Sequence, residues 1–211
     1  MKNRIMLMLV KTARKYRVNQ KYKDRVFRMI FHDKKDLLSL YNAINGTNYT
    51  NPDDLEIRTL DDAVYLGYKN DLSFLISNTL NLYEHQSTPN PNMPLRGLLY
   101  FTDMLKAYLE EKKCDIYGSK LVPLPVPRYL VFYNGTEHMP DISVLNLSDA
   151  YMKTADVSIE KETADCIPMT VHDAIKATEP FLECKAVVLN INEGHNTELM
   201  DKCGRLEAYA L

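Results

Sequence analysis

Apolar residues recur at helical spacing in two long stretches of the chain. The first predicts a helix over residues 22–45, which Asn45-Gly46 would end. The second predicts a helix beginning at Pro94, with an apolar stripe that includes Leu95 and Leu99. Shorter apolar runs predict the remaining elements: strands at 63–68, 129–133 and 186–192, and a last helix at 197–211.

A hairpin is predicted between these two helices. Strand formers in residues 70–76 and 79–86 flank Ser77-Asn78, a polar pair that can form the turn. A turn at this pair places Asp71 directly opposite Glu84, and partners in that relation point to the same face of the sheet. The element order is then helix, strand, strand, strand, helix, strand, which is typical of a mixed sheet with helices on its faces.

The hairpin collects polar groups on one face. Because side chains alternate along a strand, Gln86 should join Glu84 and Asp71, whereas the His85 side chain should point away as a structural histidine. Two carboxylates this close repel each other unless a proton or a cation compensates. A divalent cation such as Mg²⁺, Mn²⁺ or Ca²⁺ prefers such oxygen ligands, and could polarise a phosphoryl oxygen and activate water.

Two other interpretations of the hairpin stay open at this point. The pair could be an ordinary surface hairpin whose Asp71 and Glu84 face solvent. A register slip of one residue would also send Asp71 to the other face of the sheet.

Charge is distributed unevenly along the chain. The net charge of the chain is -2. Residues 1–28 contain ten Lys or Arg and one acid, Asp24, which gives this stretch a charge of +9 and the remainder of the chain a charge of -11. We predict a basic arm over residues 1–20 that contacts phosphates, with a solvated amphipathic helix as the alternative. One domain is expected over residues 21–211.

The cysteines and the apolar runs indicate a compartment. The four cysteines form no CxxC pair, which is typical of reduced thiols in a cytoplasm. The early apolar run at residues 5–10 is far shorter than the ~20 residues of a membrane span. We therefore expect a cytoplasmic protein with no membrane partner.

The residues of the hairpin also carry a family resemblance. Residues 83–88 (YEHQST) with 92–96 (NMPLR) and Tyr100 resemble the hallmark of the recombination-promoting nuclease (Rpn)/transposase family, as do residues 70–74. Weaker similarity extends over residues 20–211. That family is similar to the PD-(D/E)XK nucleases, so the resemblance implies an α/β restriction-endonuclease-like mixed sheet with an α-β-β-β-α-β core.

The resemblance also implies roles for single residues. Asp71 matches the motif aspartate, Glu84 the motif acid and Gln86 the position usually held by lysine. The main-chain carbonyl of His85 would be a further metal ligand. Two departures are the glutamine itself, which leaves the proton acceptor open, and Asn70, which stands where the motif has proline.

Two more residues are candidates. Arg96 would contact a phosphate or brace Glu84, with an ordinary surface arginine as the alternative. Asp24 would be an accessory acid from the first helix, or an acid favoured there by the helix dipole.

The predicted function is metal-dependent endonucleolytic cleavage of DNA, linked to recombination or mobile elements. Two alternatives are a catalytically silent nuclease-like scaffold that binds DNA or a protein, and a nuclease that acts only as a homo-oligomer.

Overall fold

The computed structural model describes residues 26–58, 71–152 and 180–210. The predicted basic arm, Asp24 and the predicted strand at 63–68 lie outside these ranges. Within them, six strands form one sheet: β1 Glu56–Ile57, β2 Leu72–Ile76, β3 Thr79–Gln86, β4 Val126–Tyr133, β5 Ile142–Asn146 and β6 Lys185–Asn190. The helices are α1 Lys34–Asn45, α2 Met93–Glu111, α3 Thr197–Lys202 and α4 Gly204–Ala210, and residues 26–31 are also helical.

The sheet is mixed, with the strand order β1-β2-β3-β4-β6-β5. Strands β1, β2 and β3 are antiparallel neighbours, β3, β4 and β6 run parallel, and β5 pairs antiparallel with β6. Helix α2 provides the crossover that a parallel β3–β4 pair requires. The predicted mixed α/β sheet is confirmed, and β5, which the apolar pattern did not reveal, extends it at one edge.

The hairpin has the predicted register. Ile76 pairs with Thr79 and Leu72 pairs with Tyr83, and the first turn residue, Ser77, takes a positive φ of 52°. Continuing this register by one residue places Asp71 opposite Glu84. The slipped register is therefore excluded.

Apolar side chains fill both faces of the sheet. One face packs against the helical residues 26–31, α1 and the C-terminal helices, with Phe27, Tyr83 and Phe132 in its core. The other face packs against α2, with Leu82 and Tyr129 in its core. Residues at the same end of β3 can therefore meet groups from two helical layers.

The prediction of one continuous helix over residues 22–45 is wrong. The described residues contain two helical segments, because Asp33 caps a new helix by accepting hydrogen bonds from the N–H of Lys35 at 2.8 Å and of Asp36 at 3.3 Å. The stop signal is confirmed: Gly46 has φ 63° and donates its N–H to the carbonyl of Asn42.

Two further predictions differ from the structure: the buried face of α2 and the continuity of the last helix. Leu95 and Leu99 lie on the solvent side of α2, 46% and 43% exposed, because the helix instead buries the face with Gly97 and Tyr100. The last predicted helix is divided at Cys203 into α3 and α4.

Cys114, Cys184 and Cys203, the described cysteines, are free thiols. Among the described residues, no helix combines the length and apolar character that crossing a bilayer would take.

Candidate metal centre

The two acids of the hairpin lie at one end of the sheet. Glu84 is in β3 and is only 1% exposed, whereas the Asp71 side chain, just before β2, is 15% exposed. Asp71 Oδ2 accepts a hydrogen bond of 2.8 Å from the main-chain N–H of His85. This bond continues the hairpin by one step and holds Asp71 beside the Glu84–His85 peptide. Because Glu84 is buried, the interpretation of two solvent-facing acids is wrong for that residue.

Glu84 is held by side chains from α2 and β4. The Tyr129 hydroxyl donates to Oε2 at 2.8 Å, and Nη2 of Arg96 lies 3.2 Å from Oε2 and 3.3 Å from Oε1. The same Nη2 is 3.4 Å from the Tyr100 hydroxyl. Of the predicted alternatives for Arg96, the brace for Glu84 is therefore present in the geometry.

Burial changes the acidity of this cluster. Loss of solvent is the largest cause that raises the pKa of Glu84, from 4.5 to about 7, and Asp71 adds to it, while Arg96 and the hydroxyls of Tyr129 and Tyr100 act in the opposite direction. Burial and the neighbouring Glu84 also raise the pKa of Tyr129, which therefore stays protonated and remains a donor. A metal would bind the ionised form of Glu84 and so displace its proton.

Asp71 has its own cationic neighbour. Nε of Arg28 lies 3.4 Å from Oδ1 of Asp71. Among the described residues, one guanidinium group therefore lies beside each acid and opposes the repulsion between Asp71 and Glu84 that the sequence predicts.

The His85 side chain is a structural group, as its place in the strand predicts. Its ring lies on the opposite face of the sheet, with ring centroids 5.7 Å from Phe27 and 5.5 Å from Tyr209. Its main chain is on the side of the acids: the N–H reaches Asp71, and in an extended strand the carbonyl of the same residue points to the same edge.

Gln86 closes the strand and is partly buried. Its carbonyl accepts a 3.0 Å hydrogen bond from the N–H of Asn134, towards β4. Because successive main-chain groups point to opposite edges, this bond supports the orientation of the His85 carbonyl towards Asp71. By alternation the Gln86 side chain shares the face of Glu84.

These groups are chemically suited to a hard divalent cation. The carboxylates of Asp71 and Glu84 and the carbonyl of His85 supply oxygen ligands only, which Mg²⁺ and Mn²⁺ prefer. The described residues contain no cluster of three or more His, Cys, Asp or Glu side chains that could hold a metal. A metal here would therefore depend on main-chain, amide or water oxygens as well as the two acids, and would compete with two arginines.

Sequence reasoning missed three residues of this site. Tyr129 was assigned to an apolar strand only, although its position in a strand beside β3 is the signal that could have identified it. Arg28 was counted only as part of a basic stretch. Gly97 is a third: a Cβ there would lie 2.5 Å from the Tyr129 ring, so the glycine lets that ring pass beneath α2 to Glu84.

Comparisons with protein-family models, with curated proteins and with solved structures find no significant match to this chain. The resemblance to the recombination-promoting nuclease (Rpn)/transposase family therefore stays a prediction.

Proposed function

We propose that the protein is a divalent-metal-dependent endodeoxyribonuclease that hydrolyses phosphodiester bonds in DNA. The observation that carries the proposal is the hairpin register, which brings Asp71 and Glu84 together at the main chain of His85. An acid pair beside a main-chain carbonyl is the arrangement that the family resemblance implies for a metal site.

The element order supports the same proposal. A helical region, three antiparallel strands, the helix α2 and the parallel strand β4 follow one another along the chain. This order agrees with the α-β-β-β-α-β core of restriction-endonuclease-like proteins, and we propose that the fold belongs to that class. We also propose that the nuclease acts in recombination or on mobile elements. A homo-oligomer as its active form is a further part of this proposal.

Each residue would have a separate task. Asp71, Glu84 and the His85 carbonyl would hold the cation, which would supply Lewis-acid activation of water and of the scissile phosphate. Gln86 would orient the attacking water through its amide, which cannot serve as a general base. Tyr129 would keep the Glu84 carboxylate in place, and Arg96 would brace it in the metal-free site.

The test is cleavage of supercoiled plasmid by the purified protein with Mg²⁺, Mn²⁺, Ca²⁺ or EDTA. Asp71→Asn and Glu84→Gln remove one charge each at nearly constant shape, and Glu110→Gln, an exposed glutamate of α2, is the matched control. We expect nicking that needs the metal, is lost in both site variants and survives in the control. Nicking that persists in both site variants would assign it to a contaminant or to another site.

A second candidate function is a catalytically silent scaffold that binds DNA or a protein. The observation that favours it is that Arg28 and Arg96 already neutralise the two acids. This hypothesis predicts that folded protein binds DNA or another partner, while plasmid stays intact with every metal.

A further inference from the structure

The charged groups of the candidate metal centre are arranged by depth. Arg28 and Arg96 are 42% and 28% exposed, Asp71 is 15% exposed and Glu84 is 1% exposed. The two arginine side chains are therefore the more solvent-accessible members of this cluster, and the carboxylates are the less accessible ones.

The two arginines come from opposite layers of the fold. Arg28 follows Phe27, whose ring is fully buried and packs 5.2 Å from that of Phe132 on one face of the sheet. Arg96 is in α2, which covers the other face. The guanidinium groups thus flank the acid pair from two sides, and each is attached to a packed helical layer.

Both arginines have N–H donors that make no hydrogen bond to the described residues. Nε of Arg96 has no such partner, and Nε of Arg28 has only the 3.4 Å contact with Oδ1 of Asp71, which is not a hydrogen bond. A guanidinium offers five N–H donors in a planar fork, which matches the oxygens of a phosphate in bidentate contacts.

Charge balance indicates when these donors become available. Among the described residues, the two guanidinium groups balance the charge of the two carboxylates when both acids are ionised, and that form of the site has little attraction for an anion. A divalent cation bound by the acids would compete with the arginines for the same oxygens and leave an excess of positive charge. The complementary ligand is then a phosphodiester anion.

We propose that Arg28 and Arg96 form a clamp for the DNA phosphate at the candidate metal centre, which they reach by exchanging the carboxylates for phosphate oxygens when metal binds. The clamp rests on the proposed nuclease function and deepens it, since it assigns Arg28, from the first helical layer, to substrate binding. The competing explanation is that Arg28 is only a counterion for Asp71.

The two explanations differ in DNA affinity at saturating metal. We would measure binding of a short fluorescent duplex by anisotropy with Ca²⁺ over a series of salt concentrations. The variants are Arg28→Ala and Arg28→Lys. Arg205→Ala is the matched control, because Nε of Arg205 makes a similar 3.3 Å contact with Oδ1 of Asp36, an acid that is not among the proposed metal ligands.

Loss of a phosphate contact has a defined signature. Arg28→Ala should weaken binding roughly tenfold and reduce the slope of log K against log salt by about 1. Arg28→Lys keeps the charge but not the fork, so its slope should stay near that of the wild type while its affinity falls. Arg205→Ala should leave both quantities unchanged.

An Arg28→Ala protein that is folded and binds with wild-type affinity and slope would overturn the clamp. If that variant does not fold, Arg28→Lys with unchanged affinity would overturn it equally. Wild-type protein that fails to bind the duplex would do the same. Binding that depends on Arg28 without plasmid cleavage would support Arg28 as a phosphate contact and contradict the nuclease.

Discussion

Replacing Glu84 by glutamine should change how the stability of the protein depends on pH. The pKa of this carboxyl is raised from 4.5 to about 7 in the folded protein, chiefly by burial. Between these two values the folded state therefore binds a proton that the unfolded state has released. The free energy of unfolding decreases with pH wherever the folded state binds more protons than the unfolded state. The stability of the protein must therefore fall as pH rises through this window.

The shift of the pKa sets the magnitude. A rise from 4.5 to about 7 corresponds to about 3 kcal/mol, since one pKa unit is about 1.4 kcal/mol. The side chain is only 1% exposed, so solvent screens little of this energy. Glu84→Gln has no carboxyl proton to release at this position. Its free energy of unfolding minus that of the wild type should therefore increase by about 3 kcal/mol between about pH 4.5 and pH 8.

The assay is urea unfolding of both proteins at several pH values across this window, followed by circular dichroism. The informative quantity is the difference between the two free energies of unfolding, because titrating groups that do not interact with Glu84 contribute equally to both. Glu110→Gln, at an exposed position of α2, is the control and should run parallel to the wild type. A difference between Glu84→Gln and wild type that stays constant with pH would show that burial does not raise the pKa of Glu84.

Three further substitutions, with Gly204→Ala as a control, test the packing and the caps. Gly97→Ala would place a Cβ 2.5 Å from the Tyr129 ring and should destabilise the protein by about 1–3 kcal/mol in urea; unchanged or higher stability would contradict the close approach. A Cβ at Gly46 would meet no atom within 4 Å, but the residue has φ 63°, so Gly46→Ala should destabilise the protein by about 1 kcal/mol through backbone strain alone. Gly204 is equally open and has no positive φ, so Gly204→Ala should be near neutral; thermal unfolding compares the two variants. Asp33→Ala removes the cap of α1 and should cost about 1 kcal/mol; an unchanged melting temperature would show that the cap does not stabilise the helix.

Local patterns were sufficient to predict the hairpin and the acid pair. The two strands are joined by a two-residue turn, so the alternation of residues around Ser77-Asn78 determines the register, and with it the meeting of Asp71 and Glu84. The helix stop at Gly46 was equally predictable, since it depends on the conformation of one residue.

Contacts between distant parts of the chain were not predictable in this way. Tyr129 reaches Glu84 across 45 residues, because a parallel crossover places β4 beside β3, and the amphipathic pattern of α2 does not show where that strand will lie. Arg28 meets Asp71 because two layers converge at one end of the sheet. The break before α1 was missed for another reason: the apolar stripe continues through it, and only the Asp33 cap marks it.

The most direct test of the metal centre is a crystal of the protein soaked in Mn²⁺, with diffraction data collected at the manganese absorption edge. We expect an anomalous peak within ligand distance of the Asp71 and Glu84 carboxylates and the His85 carbonyl, with Arg28 and Arg96 moved away from the carboxylate oxygens that bind the metal. A map without such a peak, in which both arginines keep their present contacts at saturating Mn²⁺, would contradict the metal centre and favour the silent scaffold.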